Sequence, residues 1–281
     1  MMLLLWWGGF ACTSEMDSGE VDLCSVTVRP KQYNEGHDCN NGRCYIPTGF
    51  VVLGNADPLN TDQCPQHQAK ITELYLSKTE VTTAEWQMCV DAGVCAPQVE
   101  WCRNFTDDTT GNIPITCVTW QEAKEYCIWQ GGRLPTEAEW ELGARGRLGY
   151  MWAWGNESPF CMRANYKFVT AYCEGEVTEV GFHVYGDSPF GLHDVAGNVW
   201  EWTEDWYDAN AYTKRTFRDP QGPTTDCAMS TIDASGACVD KVLRGGAWDT
   251  TEGTISPAAR SHTSPNTIDV NIGFRCAWDV E

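Results

Sequence analysis

The chain has 281 residues, 42% hydrophobic and 21% charged, which excludes a disordered tail and suits one large domain or two small ones. Nineteen basic residues against 39 acidic ones leave a formal net charge of −20. That excludes a nucleic-acid partner and charge-driven adhesion to anionic lipid, and leaves cationic partners and divalent cations open.

Fifteen cysteines are spread along the chain with no C-x-x-C spacing, and the five histidines form no H-x-x-x-H or H-x-H pair. Disulfides account for this pattern better than sulfur–imidazole metal clusters, and they place the chain in an oxidising compartment. Residues 1–11, MMLLLWWGGFA, form an apolar run too short for a membrane span, which needs roughly 20 residues. The run resembles the apolar part of a secretory signal whose basic start is missing, as a late start codon would leave it. Gly9-Phe10-Ala11-Cys12 then resembles a lipoprotein cleavage site, although Gly9 stands where Leu is usual. Lipid on Cys12 would leave an even fourteen cysteines; the alternative is an ordinary secreted chain with one odd thiol.

Residues 12–45 are acidic and read as a tether, with Cys39-Asn-Asn-Gly-Arg-Cys44 as a small disulfide loop. From Ile46 to residue 281 the composition is even, Trp- and Gly-rich, and suggests one domain. Three capping boxes predict helix starts, at Thr82-Thr83-Ala84-Glu85, Thr119-Trp120-Gln121-Glu122 and Thr136-Glu137-Ala138-Glu139, with stops near Gly93, Gly131-Gly132 and Gly146. Residues 48–53, 73–76 and 241–243 read as short strands between long Gly/Asn/Asp loops. The expected class is α+β with low regular secondary structure, short helices and many loops.

Residues 131–146 read GGRLPTEAEWELGARG, residues 191–207 GLHDVAGNVWEWTEDWY, residues 242–249 VLRGGAWD and residues 258–277 AARSHTSPNTIDVNIGFRCA. With IPTGFVVLGN from Ile46, KTEVTTAEW from Lys78 and PITCVTWQEAKEYC from Pro114, they closely resemble the formylglycine-generating enzyme, or sulfatase-modifying factor, family. The resemblance implies a C-type-lectin-like fold over about residues 46–279, and a disulfide between Cys127 and Cys276. Family enzymes oxidise a cysteine of a client sulfatase with two copper-binding cysteines and a serine after an R-G-G-S segment. Here the segment is Arg244-Gly245-Gly246-Ala247, and no cysteine follows up to Pro257. The expectation is therefore that the sulfatase-oxidising chemistry is absent, that copper is not bound and that no catalytic residue can be assigned. Family branches that use iron carry an extra helical domain that is missing here.

The segment from Asp194 to Glu201 resembles a family calcium site, which implies carboxylates from Asp194 and Glu201 and backbone carbonyls from Gly197 and Val199. A Gly-containing loop between two acids can wrap hard oxygens around calcium on physical grounds too. The alternative is that Asp194 only caps a turn and Glu201 bonds loop amides. A second family calcium site would begin at Asn165 and Tyr166, but its later ligands fall where this chain is shorter, with Glu174 or Glu176 as stand-ins. Cys161 and Cys173 flank that loop as a candidate pair; Cys227 with Cys238, and two pairings among Cys89, Cys95, Cys102 and Cys117, stay open. The resemblance also assigns Trp200, Trp202 and Trp206 to packing rather than ligand stacking. Ala247, Asp249 and Thr250 mark the candidate ligand cleft.

The function expected is a non-catalytic, calcium-stabilised binding or assembly module of a bacterial envelope lipoprotein. It would be secreted or periplasmic, touch the membrane only through a lipid anchor at Cys12, and recognise an envelope protein or a glycan or peptide ligand. The rival is an active oxidoreductase of the same family.

Overall fold

The computed structural model describes residues 38–56, 61–103, 108, 110–168, 170–214, 216–223 and 239–280. The signal-like segment, Cys12, the tether through residue 37, and Cys227 and Cys238 lie outside the described residues.

Helices α1 (Thr83–Asp91), α2 (Glu100–Arg103), α3 (Trp120–Trp129), α4 (Glu137–Arg145) and α5 (Ala211–Lys214) are all short. The three longest begin at the expected boxes. Thr82, Thr119 and Thr136 accept from the backbone N–H of Glu85, Glu122 and Glu139, and each glutamate reaches back to the cap N–H. Two orphan amides are satisfied at each start, about 1 kcal/mol per cap. Helix α4 stops at Gly146, whose φ of +69° suits a residue without Cβ.

Strands β1 (Cys39–Asn40), β2 (Arg43–Ile46), β5 (Leu74–Ser77) and β10 (Ala277–Asp279) form an antiparallel sheet in that order. Strands β3 (Gly49–Leu53) and β4 (His67–Ile71) make a separate pair. The third sheet runs β8 (Ser261–Thr263), β7 (Lys241–Arg244), β6 (Trp200–Trp206), β9 (Ile272–Phe274), with β6 and β9 parallel. Strand β2 crosses the expected domain boundary at Ile46. Cys44 pairs with Leu76 and is fully buried, so the Cys39–Cys44 hairpin is part of the domain rather than of the tether. Composition could not show this, because the hairpin gains its apolar partner only from a strand 30 residues on.

Two of the longer strands lie outside the three expected. Strand β6 is buried at five of its seven positions, without the alternation that marks a half-exposed strand, and β4 (HQAKI) carries too few apolar residues to read as a strand. One core cluster gathers Leu53, Leu76, Trp140 and Phe190; a second gathers Trp86, Tyr126, Trp202 and Phe274. The buried face of α4 is ionic. Glu137 pairs with Arg260, just before β8, at 2.5 Å, Glu141 with Arg145 of the same helix at 2.9 Å, and Glu141 also with Arg244 on β7. Such pairs orient elements more than they stabilise them, because desolvation offsets most of the attraction.

Among the described residues five disulfides are formed: Cys39–Cys44, Cys89–Cys95, Cys102–Cys117, Cys127–Cys276 and Cys161–Cys173. The Cys127–Cys276 bridge ties α3 to the segment between β9 and β10 across 149 residues. No described helix is long and apolar enough to cross a membrane.

Candidate functional site

The loop before β6 holds Asp194, Gly197 and Val199 together, and it does so with backbone that few sequences tolerate. Asp194, Gly197 and Asn198 have φ of +56°, +83° and +65°. A Cβ at Gly197 would sit 2.1 Å from the carbonyl oxygen of Asn165, so the two chains can lie side by side only if one of them is glycine. The N–H of Asn198 then donates to that same carbonyl at 2.9 Å. The two candidate calcium loops, 32 positions apart in sequence by 197 − 165, are thus adjacent.

Glu201, on β6, is fully buried between α4 and β9. Arg275 donates to it twice, from Nε to Oε2 at 2.6 Å and from Nη2 to Oε1 at 2.7 Å, and Trp140 Nε1 adds a third bond at 2.7 Å. Its charge is therefore matched by Arg275, whose remaining donors go to the carbonyls of Ser77, Lys78 and His193. The oxygens left over lie elsewhere. Asp194 Oδ2 accepts from the Gly181 N–H at 2.5 Å, but its Oδ1 is buried with no partner.

Glu80 is the residue that sequence reading missed. It is 1% exposed; Oε1 accepts from Asn198 Nδ2 at 3.0 Å and Oε2 is buried without a partner. Burial pushes its carboxyl well above the ordinary range, and the Asp194 charge pushes it further. Burial likewise raises Asp194. Two buried acids with orphaned oxygens, facing each other without a cation of their own, fit a hard divalent ion. No set of three His, Cys, Asp or Glu side chains converges among the described residues, so any such ion would need backbone oxygens as well. A signal for Glu80 was present: it is the acid that closes the strand-to-helix turn at Val81-Thr82, just before a capping box.

In the second loop, Asn165 Nδ2 donates to the Glu176 carbonyl at 2.7 Å while its Oδ1 is buried without a partner. The Tyr166 carbonyl accepts from the Cys173 N–H at 2.9 Å. Glu174 and Glu176 are both exposed. The Cys161–Cys173 bridge closes this loop.

The segment after β7 is a tight turn. Ala247 is fully buried; Thr250 Oγ1 accepts from the Ala247 N–H and donates to the Ala247 carbonyl, both at 2.9 Å. Asp249 takes both bonds, at 3.1 and 3.0 Å, from Asn271 Nδ2. The three expected cleft residues thus sit together, but their polar atoms hold the turn itself. Trp200 and Trp202 are buried, with Trp202 Nε1 on the Val118 carbonyl at 3.0 Å. Trp206 and Trp120 lie on either side of the Lys241 ammonium, at 4.0 and 3.8 Å.

A family model described as sulfatase-modifying factor enzyme 1-like domain matches residues 31–280. The chain belongs to that family. It is 37% identical to the formylglycine-generating enzyme of Streptomyces coelicolor over 85% of this chain and 90% of that protein. It is also 36% identical to the inactive C-alpha-formylglycine-generating enzyme 2 of Bos taurus, over 59% of this chain and 50% of that protein. Among solved structures it resembles PvdO from Pseudomonas aeruginosa, with a TM-score of 0.67, 22% identity, and coverage of 85% of this chain and 94% of that one. That likeness is one of fold. The family's mixed α+β, lectin-like architecture is the one described above, and the five bridges accord with an extracytoplasmic location.

Proposed function

We propose that this chain is a non-catalytic member of the family, a calcium-stabilised binding or assembly module of a bacterial envelope lipoprotein. The observation that carries the reading is the turn at Arg244–Thr250. The position after the two glycines holds a buried alanine, the polar atoms of Asp249 and Thr250 are spent on Asn271 and Ala247, and no thiol occurs up to Pro257. A Cu(I) site needs a soft thiolate pair, which hydroxyls and carboxylates do not replace. A relative whose own name calls it inactive supports the idea that this scaffold persists without the chemistry.

Calcium in this reading is held near the orphaned oxygens of Asp194 and Glu80, with the Gly197 and Val199 carbonyls beside them and Glu201 kept in place by Arg275. A second ion near Asn165 and Tyr166 would complete the partnerless Asn165 Oδ1. Lipid at Cys12 would hold the domain at an envelope face, where the partner is a protein, a glycan or a peptide.

The test is a pull-down of the mature chain from its native envelope extract, with calcium and with chelator. A stoichiometric partner lost on chelation supports the module. The rival reading, an active oxidoreductase, is favoured by the 37% identity that spans 90% of the Streptomyces coelicolor enzyme. Conversion of a sulfatase-derived cysteine peptide by the copper-loaded chain would establish it and sink the non-catalytic reading.

A further inference from the structure

On the outer face of the first sheet, β2 and β10 flank β5 with Arg43 opposite Ser77 and Trp278 opposite Tyr75. This register puts Arg43 and Trp278 on the same face two residues apart along the strands, and the guanidinium lies over the indole at 3.8 Å from its centroid. Arg133, Arg145, Arg244, Arg260 and Arg275 each hold a carboxylate; Arg43 has no ion pair or side-chain hydrogen bond among the described residues. In a chain of formal charge −20, a guanidinium pinned by its face and left with its in-plane donors open is a reader of anions.

Arg43 lines a cavity of about 230 Å³ that runs between the sheet and the helices, with Glu80, Val81, Glu85, Met88, Tyr126 and Trp278 also in its wall; Glu80 Oε1 is taken by Asn198 Nδ2. Glu85 Oε2 is occupied by the Thr82 N–H and hydroxyl, but Oε1 has no partner among the described residues. The Tyr126 hydroxyl accepts from Gln130 Nε2 at 3.4 Å and keeps its own proton to donate; burial and the nearby Glu85 charge hold its pKa above the ordinary phenol range. One wall therefore offers a cation, another an anion, and between them Val81, Met88 and Trp278 are apolar. A dianion such as phosphate would meet Glu85, and a simple cation would meet Arg43. A zwitterion satisfies both.

We propose that this cavity binds a free α-amino acid with an apolar side chain. Its carboxylate lies on Arg43 with help from Tyr126, its ammonium faces Glu85, and its side chain packs on Met88 and Trp278. The site is separate from the turn at Ala247, but Glu80 lines it as well as the candidate calcium site, so binding is compared with and without calcium.

The test is ligand-observed NMR and calorimetry on the full chain, with and without calcium, using a panel of free amino acids at roughly millimolar concentration. For the best binder, two derivatives separate the ends: the amide, which lacks the carboxylate, and the N-acetyl acid, which lacks the ammonium. Arg43→Gln should weaken binding by about tenfold or more, the loss expected of one charge-assisted bidentate pair. Glu85→Gln keeps the capping box, since glutamine serves there too, and should weaken the free amino acid while sparing the N-acetyl acid. Tyr126→Phe keeps the ring and should give a smaller loss. Melting curves of the three variants check that each is folded. The proposal is overturned if no free amino acid binds, if the amide binds as well as the acid, or if Arg43→Gln leaves affinity unchanged in a folded protein.

Discussion

Asn198 donates to Glu80 Oε1 at 3.0 Å and accepts at its own Oδ1 from the Thr178 N–H at 3.0 Å and from Asn165 Nδ2 at 3.5 Å. One buried amide thereby joins Glu80, ahead of α1, to Asn165 in the second loop. Buried polar groups linked this way are costly to leave half-satisfied.

Glu80→Gln removes a buried acid while keeping the acceptor for Asn198. Without calcium the variant should melt at the same temperature as the parent or above it, because a carboxyl whose charged form burial and Asp194 disfavour is replaced by a neutral amide. The calcium-induced rise in melting temperature should shrink or vanish. Paired melting curves with calcium and with chelator check this; an undiminished calcium response in the variant would remove Glu80 from the site.

Gly197→Ala should be far more damaging than its size suggests. The new Cβ would meet the Asn165 carbonyl at 2.1 Å, at a φ of +83° that alanine disfavours. A loss of about 3 kcal/mol or more is expected, with both loops disturbed together. Denaturant titration gives the magnitude, and a cost below about 1 kcal/mol would mean the two loops are not locked as described.

Replacing Cys127 and Cys276 together by alanine opens a link that spans 149 residues. The chain-entropy account expects about 4–5 kcal/mol, more than for any of the short local bridges. Removing Cys39 and Cys44 instead, five residues apart, should cost much less in chain entropy. Chemical denaturation of the two double variants compares them directly.

Lys241 is buried between Trp120 and Trp206, with its ammonium donating to the Glu204 carbonyl at 2.8 Å. Burial lowers its pKa from the ordinary 10.5 to about 8, against the opposing charges of Glu204 and Asp205. A lysine depressed in the folded state binds more protons when unfolded across that window, so its contribution to stability rises as pH goes from about 8 towards 10.5. One unit is worth about 1.4 kcal/mol, and the facing rings offset part of it. Lys241→Met should flatten the rise between those pH values; pH-dependent melts of the two proteins read the difference.

Much of the local structure was legible because its causes are local. The threonines at 82, 119 and 136 sit three residues before a glutamate, and that spacing closes a capping box whatever the rest of the chain does. The long motifs around residues 131–146 and 191–207 carried the fold through their resemblance, and the Cys127–Cys276 pair came with them. Strand β6 was not legible, because a strand buried on both faces lacks the period of two that would mark it.

By itself, then, the sequence determined the helix starts through short spacing and the fold class through its resemblance, and it shows no cysteine between Gly246 and Pro257. The tertiary structure decided which charges cancel. It gave Glu201 to Arg275 and left Glu80 and Asp194 facing one another, and it placed Arg43 over Trp278 with no carboxylate of its own. Those relationships join residues up to 235 positions apart, by 278 − 43, and electrostatic pairing depends on distance and burial in space, which no local pattern encodes.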